Sequence, residues 1–280
     1  MTDAPPSNRA RGAIAAGFRR VGARTEVVGP HETGGYRLRL PRTHGGPCEA
    51  VIVNTGGGMA GGDRAEFAFA AEAGTAATIT TTAAEKVYRG VHASEAAAGG
   101  AEAETRVSVA LTLGGGAALD WLPQETILFD GARLHRTLDA AMAEDADLLM
   151  AETLVFGRLG MGERMGAGRV RDRWRVRRGG RLVLAEELDL GGDVAGLLDR
   201  PALGGGARAS ATAIWMSPRA EGALDRARAA LDMPEVSGGA SAWNGMLVAR
   251  ALSPSPRALR AAIVALLSGL RGRALPRLWA

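Results

Sequence analysis

Short segments in which apolar and polar side chains alternate recur through most of this chain of 280 residues. In RVSVALTL, for example, Val107, Val109, Leu111 and Leu113 fall on one face of an extended chain, and the residues between them fall on the other. A period of two is typical of strands with one buried face. We therefore predict a mainly β protein of layered, sandwich-like or coiled many-stranded sheets. The further strand candidates are YRLRL, AVIVN, TAATITTTA, TILFD, RLHRTL, LLMAETLVF, VRDRWRV and RLVLAEELDL.

Helical spacing is convincing only in the last quarter of the chain. Ser217-Pro218 and Ser255-Pro256 each have the form of an N-cap followed by proline at the first helical position. We therefore expect a few helices, two of them near the C-terminus, with the second ending near Gly269. The glycine-rich stretches 191–206 and 237–245 are predicted to be loops.

Length and composition bound the remaining possibilities. Residues 1–11 are polar and contain proline, which predicts a flexible tail, and 12–280 are predicted to form a single β-rich domain. Cys48 is the only cysteine, which excludes an internal disulfide and favours a reducing compartment. No apolar run approaches the roughly 20 residues of a membrane span, and the net charge is only +4. We expect a cytoplasmic protein without a membrane or nucleic acid partner.

The stretch NTGGGMAGGDR follows the apolar strand candidate AVIVN and contains the spacing G-x-G-x-x-G at Gly56, Gly58 and Gly61. One interpretation is a nucleotide-dependent oxidoreductase, in which these glycines would hold a dinucleotide. That site requires a helix directly after the loop. The residues after Gly61 read instead as a strand, so the favoured interpretation is a glycine loop between strands that ends at Asp63.

Residue sets for catalysis or tight metal binding do not stand out. The histidines His31, His44, His92 and His135 do not have the spacing of a zinc site, and no G-x-S-x-G motif is present. We therefore predict a protein that is not an enzyme and that holds no tightly bound cofactor.

Charged residues on two strand candidates allow more than one interpretation. Asp172 and Glu186 share a face with apolar neighbours, so each is either half of a buried Arg–carboxylate pair, which we favour, or part of an oxygen-lined passage for a cation. The alternate arginines of VRDRWRV form a solvated face or, if functional, would dock an acidic partner. A basic nucleic-acid-binding module would also need exposed aromatic residues to stack bases. The arginines concerned are Arg171, Arg173, Arg175 and Arg177.

Several motifs, in order along nearly the whole chain, resemble those of the urease accessory protein D family, which is called H in some organisms. They are NTGGGMAGGD, TTTAAEKVYRG, LDWLPQETILFDGAR, RDRWRVRRGGRLVLAEEL and the C-terminal PRLWA. The resemblance implies a β-rich, non-catalytic scaffold for nickel delivery. It implies binding to apo-urease and to accessory protein F, which recruits the GTPase accessory protein G. Ni²⁺ would be in transit through an internal tunnel toward the urease active site.

The resemblance also selects candidate residues within these motifs. Acids that would ligate Ni²⁺ transiently, or hold the tunnel open, are Asp63, Glu66, Glu85, Asp120 and Glu125. Arg89 and Arg133 are candidate charge partners of these acids. The full set expected to have structural or partner-binding roles is Gly56, Gly57, Gly58, Gly61, Gly62, Tyr88, Arg89, Trp121, Pro123 and Arg133.

Overall fold

A computed structural model describes residues 9–43, 46–90 and 104–279. Residues 1–8 of the predicted tail, together with His44 and His92, lie outside the described residues, and the first strand begins at Arg11. The strands are β1 Arg11–Val21, β2 Arg24–Thr33, β3 Tyr36–Arg39, β4 Cys48–Asn54, β5 Arg64–Ala71, β6 Ala76–Thr81, β7 Glu85–Val87, β8 Thr105–Leu113, β9 Ala118–Leu122, β10 Thr126–Leu128, β11 Arg133–Met142, β12 Asp147–Phe156, β13 Arg169–Arg178, β14 Arg181–Gly191, β15 Ala209–Met216, β16 Ser237–Trp243 and β17 Met246–Ser253. The helices are α1 Val194–Asp199, α2 Leu224–Leu231 and α3 Pro256–Arg271, with short 3-10 turns at Leu159–Met161, Glu221–Ala223 and Arg277–Trp279.

The strands form two sheets, which confirms the prediction of a mainly β fold. The outer sheet has seven strands in the order β14-β13-β11-β8-β5-β1-β2. The middle sheet has ten strands, eight of them in the order β16-β17-β15-β12-β9-β6-β4-β3, while β10 pairs with β12 and with β7.

From β4 to β13 the chain crosses repeatedly between the two sheets. Neighbouring strands in the centre of each sheet are parallel, as in β1, β5, β8, β11 and β13 of the outer sheet. Parallel neighbours need a crossover connection, which is usually a helix. Here a strand of the opposite sheet makes the crossover instead, so the chain winds around a shared core with little helix.

The main core lies between the sheets. Phe18, Phe69, Leu138 and Trp174 project from the outer sheet toward residues such as Trp121 of the middle sheet. A second core forms where α2 and α3 cover the other side of the middle sheet. The middle sheet is therefore buried on both faces, which explains why β12 reads as the continuous apolar run LLMAETLVF.

One of the two predicted helix starts is confirmed and the other is wrong. The Oγ of Ser255 accepts a hydrogen bond from the N–H of Ala258 at 3.3 Å, and α3 begins at Pro256. This helix ends at Arg271, two residues after Gly269, and Gly272, which has a φ of 64°, follows it as the C-cap. At the other site β15 continues to Met216 and α2 begins only at Leu224. The hydroxyl of Ser217 donates to Asp147 at 2.8 Å and does not cap a helix.

Both predicted glycine-rich loops contain regular structure. Residues 237–245 form β16 and the turn to β17, in which Asn244 and Gly245 have φ values of 50° and 67°. Asn-Gly is the preferred sequence for such a two-residue hairpin turn, so this dipeptide was the signal for a hairpin. Within 191–206, Asp193 caps α1 by accepting a hydrogen bond from the N–H of Gly196 at 2.9 Å.

Candidate functional site

A cavity of about 170 Å³ lies between the two sheets. Phe67 and Val109 of the outer sheet and Trp121 of the middle sheet form part of its wall. Two partly exposed segments complete it, the end of the glycine loop at 57–58 and the segment at 81–86. The cavity therefore extends inward from the surface at two of the sequence motifs.

Glu85 is the ionisable group at the shallow side of this cavity. Both of its carboxylate oxygens accept hydrogen bonds from Nδ2 of Asn54 at 3.0 Å, and the hydroxyl of Tyr36 lies 3.5 Å from Oε2. Burial raises the pKa of Glu85, while the hydrogen bond from Asn54 opposes that shift. Burial and the negative charge of Glu85 both raise the pKa of Tyr36, so its phenol stays protonated.

Two charged side chains, Arg136 and Glu152, line the inner part of the cavity, and Asp172 lies next to them. Arg136 donates to Asp172 through Nε at 3.0 Å and through Nη2 at 2.6 Å, and it donates to Glu152 through Nη1. The indole N–H groups of Trp121 and Trp174 donate to Glu152 at 2.9 Å and to Asp172 at 3.0 Å. Burial raises the pKa of Glu152 against the influence of Arg136. We call Arg136, Glu152 and Asp172 the buried triad.

The buried triad also settles the interpretation of Asp172. Its side chain is half of a buried Arg–carboxylate pair, as favoured from the sequence, because Arg136 lies directly opposite it on the neighbouring strand. Glu186 is only half-buried and pairs with Arg250 across the gap between the two sheets.

The buried triad separates the cavity from a second space that leads to another part of the surface. Beyond Arg136 and Glu152 lies a gap of about 30 Å³, lined also by Ser210 and Thr212. The same two residues line an open groove of about 350 Å³, which contains Glu186. Polar side chains thus line a series of adjoining spaces from Glu85, past the buried triad, to Glu186. We call this series the polar route.

The five candidate acids are not brought together by the fold. Only Glu85 lines the cavity. Asp63 is buried and accepts hydrogen bonds from the N–H groups of Ala10 and Ala60, both at 2.8 Å, so it fixes the turn before β5. Glu66 is exposed on the face of β5 that points away from the cavity. Within the described ranges, no three His, Cys, Asp or Glu side chains lie close enough to hold a metal ion.

The other two acids anchor the C-terminal part of the chain. Oδ2 of Asp120 accepts hydrogen bonds from Arg271 at 2.7 Å and from Arg273 at 2.8 Å. Glu125 accepts one from Arg260 at 2.6 Å, and that guanidinium lies over the ring of Trp279. Through Arg260, Glu125 of the motif 119–133 is linked to Trp279 of the C-terminal motif PRLWA.

The candidate glycines form a loop between strands. Gly58 has a φ of 145°, and a Cβ atom there would lie 2.4 Å from the ring of Tyr88, so only glycine fits. The chain continues directly into the strand β5, which excludes the dinucleotide-binding interpretation because that site needs a helix. The other glycines of the loop lie around it: Gly56 donates its N–H to Asn54, Gly57 accepts a hydrogen bond from Tyr88, Gly61 is buried in the turn, and Gly62 has a φ of 93°.

Two of the remaining four candidates line the cavity, whereas the two arginines do not form the ion pairs expected of them in the described part of the chain. Trp121 and Pro123 line it. Arg89 pairs with Asp130 at 3.1 Å, and not with any of the five candidate acids. Arg133 forms no ion pair with the candidate acids in the parts of the chain that the structure describes, and its Nε is buried without a hydrogen-bond partner there.

Four residues in the hydrogen-bonded groups along the polar route were not selected from the sequence, and neither were Ser210 and Thr212, which line it further on. Tyr36 and Asn54 contact Glu85, and Arg136 and Glu152 complete the buried triad. Arg136 shares a strand face with Leu134 and Leu138, and Glu152 lies within an apolar run. A charged residue within an apolar pattern was therefore the sequence signal by which Arg136 and Glu152 could have been found.

The chain is similar to known proteins over its whole length. The family described as UreD urease accessory protein matches residues 10–280. The urease accessory protein UreD of Azorhizobium caulinodans is 43% identical over 281 residues, which cover 100% of both chains. That of a Methylobacterium species is 48% identical, over 98% of this chain and 96% of the relative. UreD 3 of Methylorubrum extorquens is 50% identical, over 92% of this chain and 84% of the relative. Separately, the helices of the described residues are all too short or too polar to cross a membrane.

Proposed function

We propose, because this chain belongs to the UreD family of urease accessory proteins, that its role in urease maturation is that of a non-catalytic scaffold for nickel delivery. In this proposal it binds apo-urease and accessory protein F, which recruits the GTPase accessory protein G. Ni²⁺ is cargo that passes through the chain toward the urease active site.

The polar route is the single observation that supports nickel transit most directly. It connects Glu85, near one surface, with Glu186, near another, through spaces that share lining residues. Its donors are carboxylate, hydroxyl and amide oxygens, which bind Ni²⁺ more weakly than clusters of imidazole or thiolate. Weak donors suit a passage, because a cation that binds too tightly does not leave.

The buried triad is the narrowest point of this route. Two carboxylates face one guanidinium, so the group carries a net negative charge when both acids are ionised. A cation is attracted by that charge but repelled by Arg136, which must swing aside for Ni²⁺ to pass between Glu152 and Asp172. In this proposal Arg136 keeps the passage closed until a partner or the metal displaces it.

The first experiment tests the partners. The chain is co-expressed with apo-urease and with accessory proteins F and G, and the complexes are recovered on a tag attached to this chain. We expect apo-urease and protein F to be retained, and protein G only when F is present. Recovery of none of them would contradict the scaffold role.

The second experiment tests the route. Urease activation is measured at limiting Ni²⁺ with Glu85→Gln and Glu152→Gln, using Glu26→Gln as a matched control because Glu26 is exposed on β2, away from the cavity. We expect both route variants to lower activation while still binding apo-urease, and the control to activate normally. Normal activation by both route variants would contradict nickel transit along this path and leave the partner assignment intact.

A further inference from the structure

The solvent-facing side of the outer sheet is a broad surface without a covering layer in the described part of the chain. Helices α2 and α3 pack on the middle sheet, on the opposite side of the molecule. Along β5 and β8, buried residues alternate with exposed ones, and the exposed set faces outward. A sheet face of this size, open to solvent, is available to a partner.

Basic residues from five neighbouring strands form a row across this face. The strand register places Arg11 beside Arg64, Arg64 beside Arg106, Arg106 beside His135, and His135 beside Arg171. Neighbouring strands are about 4.8 Å apart, so the row is about 19 Å long. We call these five residues the basic row.

Side-by-side cations in a sheet are unfavourable, and few carboxylates compensate for them here. Like charges directly opposite each other on adjacent strands destabilise a sheet. Glu104 lies 2.8 Å from Arg171 and 3.9 Å from Arg106. Among the described residues, no carboxylate lies within 4.0 Å of the guanidinium groups of Arg11 and Arg64. The arrangement thus retains positive charge at a cost in stability.

The pKa of His135 also reflects the positive charge around it in the basic row. Burial lowers the pKa of His135, and the positive charges of Arg171, Arg106 and Arg173 lower it further, with Glu104 acting in the opposite direction.

Most outward side chains next to the basic row on β1, β5 and β8 are small, with Glu66 beside Ala13 as the exception. Ala13, Ala15, Ala68 and Ala110 follow on the same face of β1, β5 and β8. Alanine side chains on a sheet leave no obstacle to a second flat surface. A charged row beside such an area has the anatomy of a protein interface, in which a polar edge surrounds close-packed apolar contacts.

We propose that the basic row and the adjoining alanine surface dock a protein partner whose interface carries a line of carboxylates. The proposal rests on the scaffold function above and locates one of its partner surfaces. A nucleic acid fits less well, because no Phe, Tyr or Trp side chain faces outward among the described residues of β1, β5, β8, β11 and β13.

The test neutralises part of the row in the full chain. A triple variant carries Arg11→Gln, Arg64→Gln and Arg106→Gln, and the probes are apo-urease and accessory protein F, each measured separately at increasing salt. The control variant carries Arg200→Gln, Arg226→Gln and Arg257→Gln, which remove the same charge from exposed positions outside the row. A third variant replaces the three row residues with lysine to retain the charge.

We expect the glutamine row variant to bind one of the two probes about tenfold more weakly, since three surface ion pairs are lost. Its melting temperature should be equal to or higher than that of the wild type, because repulsion within the row is relieved. The control should stay within about twofold of the wild type, and the lysine variant should bind better than the glutamine variant.

Four outcomes would overturn the inference. Unchanged binding of both probes by the glutamine row variant would exclude the row as an interface, and equal weakening by the control would show an effect of net charge alone. Tighter binding of duplex DNA or single-stranded RNA than of either protein, lost in the row variant, would assign the face to nucleic acid. If the wild type binds neither protein probe, the scaffold function itself is wrong and this inference fails with it.

Discussion

At the scale of single residues, Arg136 holds together the most unusual feature of the core. It is a buried cation between two carboxylates, and every charged group in the buried triad is hydrogen-bonded, with two indole N–H groups completing the set. Buried ions are tolerated only when they are paired and satisfied in this way. The triad therefore depends on all three members being present.

We predict that Arg136→Met lowers the free energy of unfolding by about 3–5 kcal/mol, because two buried carboxylates lose their cation. Urea unfolding followed by tryptophan fluorescence measures the change, since Trp121 and Trp174 contact the triad. The triple variant Arg136→Met, Glu152→Gln, Asp172→Asn removes all three charges and should recover part of the loss. A cost below about 1 kcal/mol for Arg136→Met would contradict this account of the core.

Glu85 gives a prediction for pH dependence. Because burial raises its pKa above the ordinary value of 4.5, the folded chain retains this proton to a higher pH than the unfolded chain does. Its contribution to stability is therefore greatest at low pH, falls as pH rises from 4.5 to the raised pKa, and is constant above it. Tyr36, Asn54 and Lys86 face the same carboxylate.

The variant Glu85→Gln has no such proton, so its stability relative to the wild type should rise with pH. Denaturant unfolding at about pH 4 and about pH 8 measures this difference, with Glu26→Gln as a control for the loss of one exposed carboxylate. A relative stability of Glu85→Gln that is constant, or that falls with pH, would contradict the rise in the pKa of Glu85 caused by its burial.

Residue-scale prediction from the sequence succeeded for Asp172, where a charge interrupts a periodic pattern. Asp172 was placed on a buried face because Val170 and Trp174 flank it at a spacing of two, and its arginine partner was expected for the same reason. Asn54 and Tyr36 could not be assigned to Glu85 in this way. Their contact brings β7 close to β3 and β4, although β7 pairs with β10 and not with either of them, and no local pattern encodes that approach.

At the scale of secondary-structure elements, the C-terminal helix and the segment after it are fastened to the middle sheet by a few specific contacts. The indole N–H of Trp279 lies 3.2 Å from both Thr80 Oγ1 and the carbonyl oxygen of Leu122, and its ring is buried. The Arg271–Asp120 pair holds the end of α3. A short terminal segment of this kind would otherwise fray.

We predict that Trp279→Ala lowers the free energy of unfolding by about 3–5 kcal/mol, as expected for removal of a large buried aromatic side chain. Trp279→Phe, which keeps most of the buried ring but loses the N–H donor, should cost about 1 kcal/mol. Leu278→Ala is the adjacent control, because its side chain is exposed and only its backbone carbonyl is bonded. Equal effects of Trp279→Ala and Leu278→Ala in thermal unfolding would show that the terminus is not anchored by the indole.

Strands were predictable from the sequence where apolar and polar residues alternate regularly. They were harder to predict where small residues dominate. The strand β16 contains Ser237, Gly238, Gly239 and Ala240, whose composition favours a loop. It forms a strand because the Asn244-Gly245 turn returns it onto β17. Tertiary pairing therefore overrode local propensity at this edge.

At the scale of the whole molecule, the alternation of the chain between two sheets creates the polar route. Glu85 and Glu152 belong to the middle sheet, whereas Arg136 and Asp172 belong to the outer sheet. The spaces exist because these side chains meet in the layer between the sheets. The sequence indicates that sheets form, but not which strands face each other, so the route could not be located from the motifs alone.

The whole-molecule proposal makes a prediction at the narrow gap beyond the buried triad. The gap has a volume of about 30 Å³ and Thr212 lines it, so Thr212→Leu should fill it, while Thr212→Val keeps its shape and removes only the hydroxyl. Overpacking should cost no more than about 1–3 kcal/mol, which leaves the protein folded. Because the gap connects the triad with the groove at Glu186, Thr212→Leu should reduce urease activation at limiting Ni²⁺ to the level seen without this chain. Thr212→Val should activate urease more strongly than Thr212→Leu does, and both variants should still co-purify with apo-urease. Normal activation by a folded, urease-bound Thr212→Leu variant would mean that Ni²⁺ does not pass between the two sheets at this point.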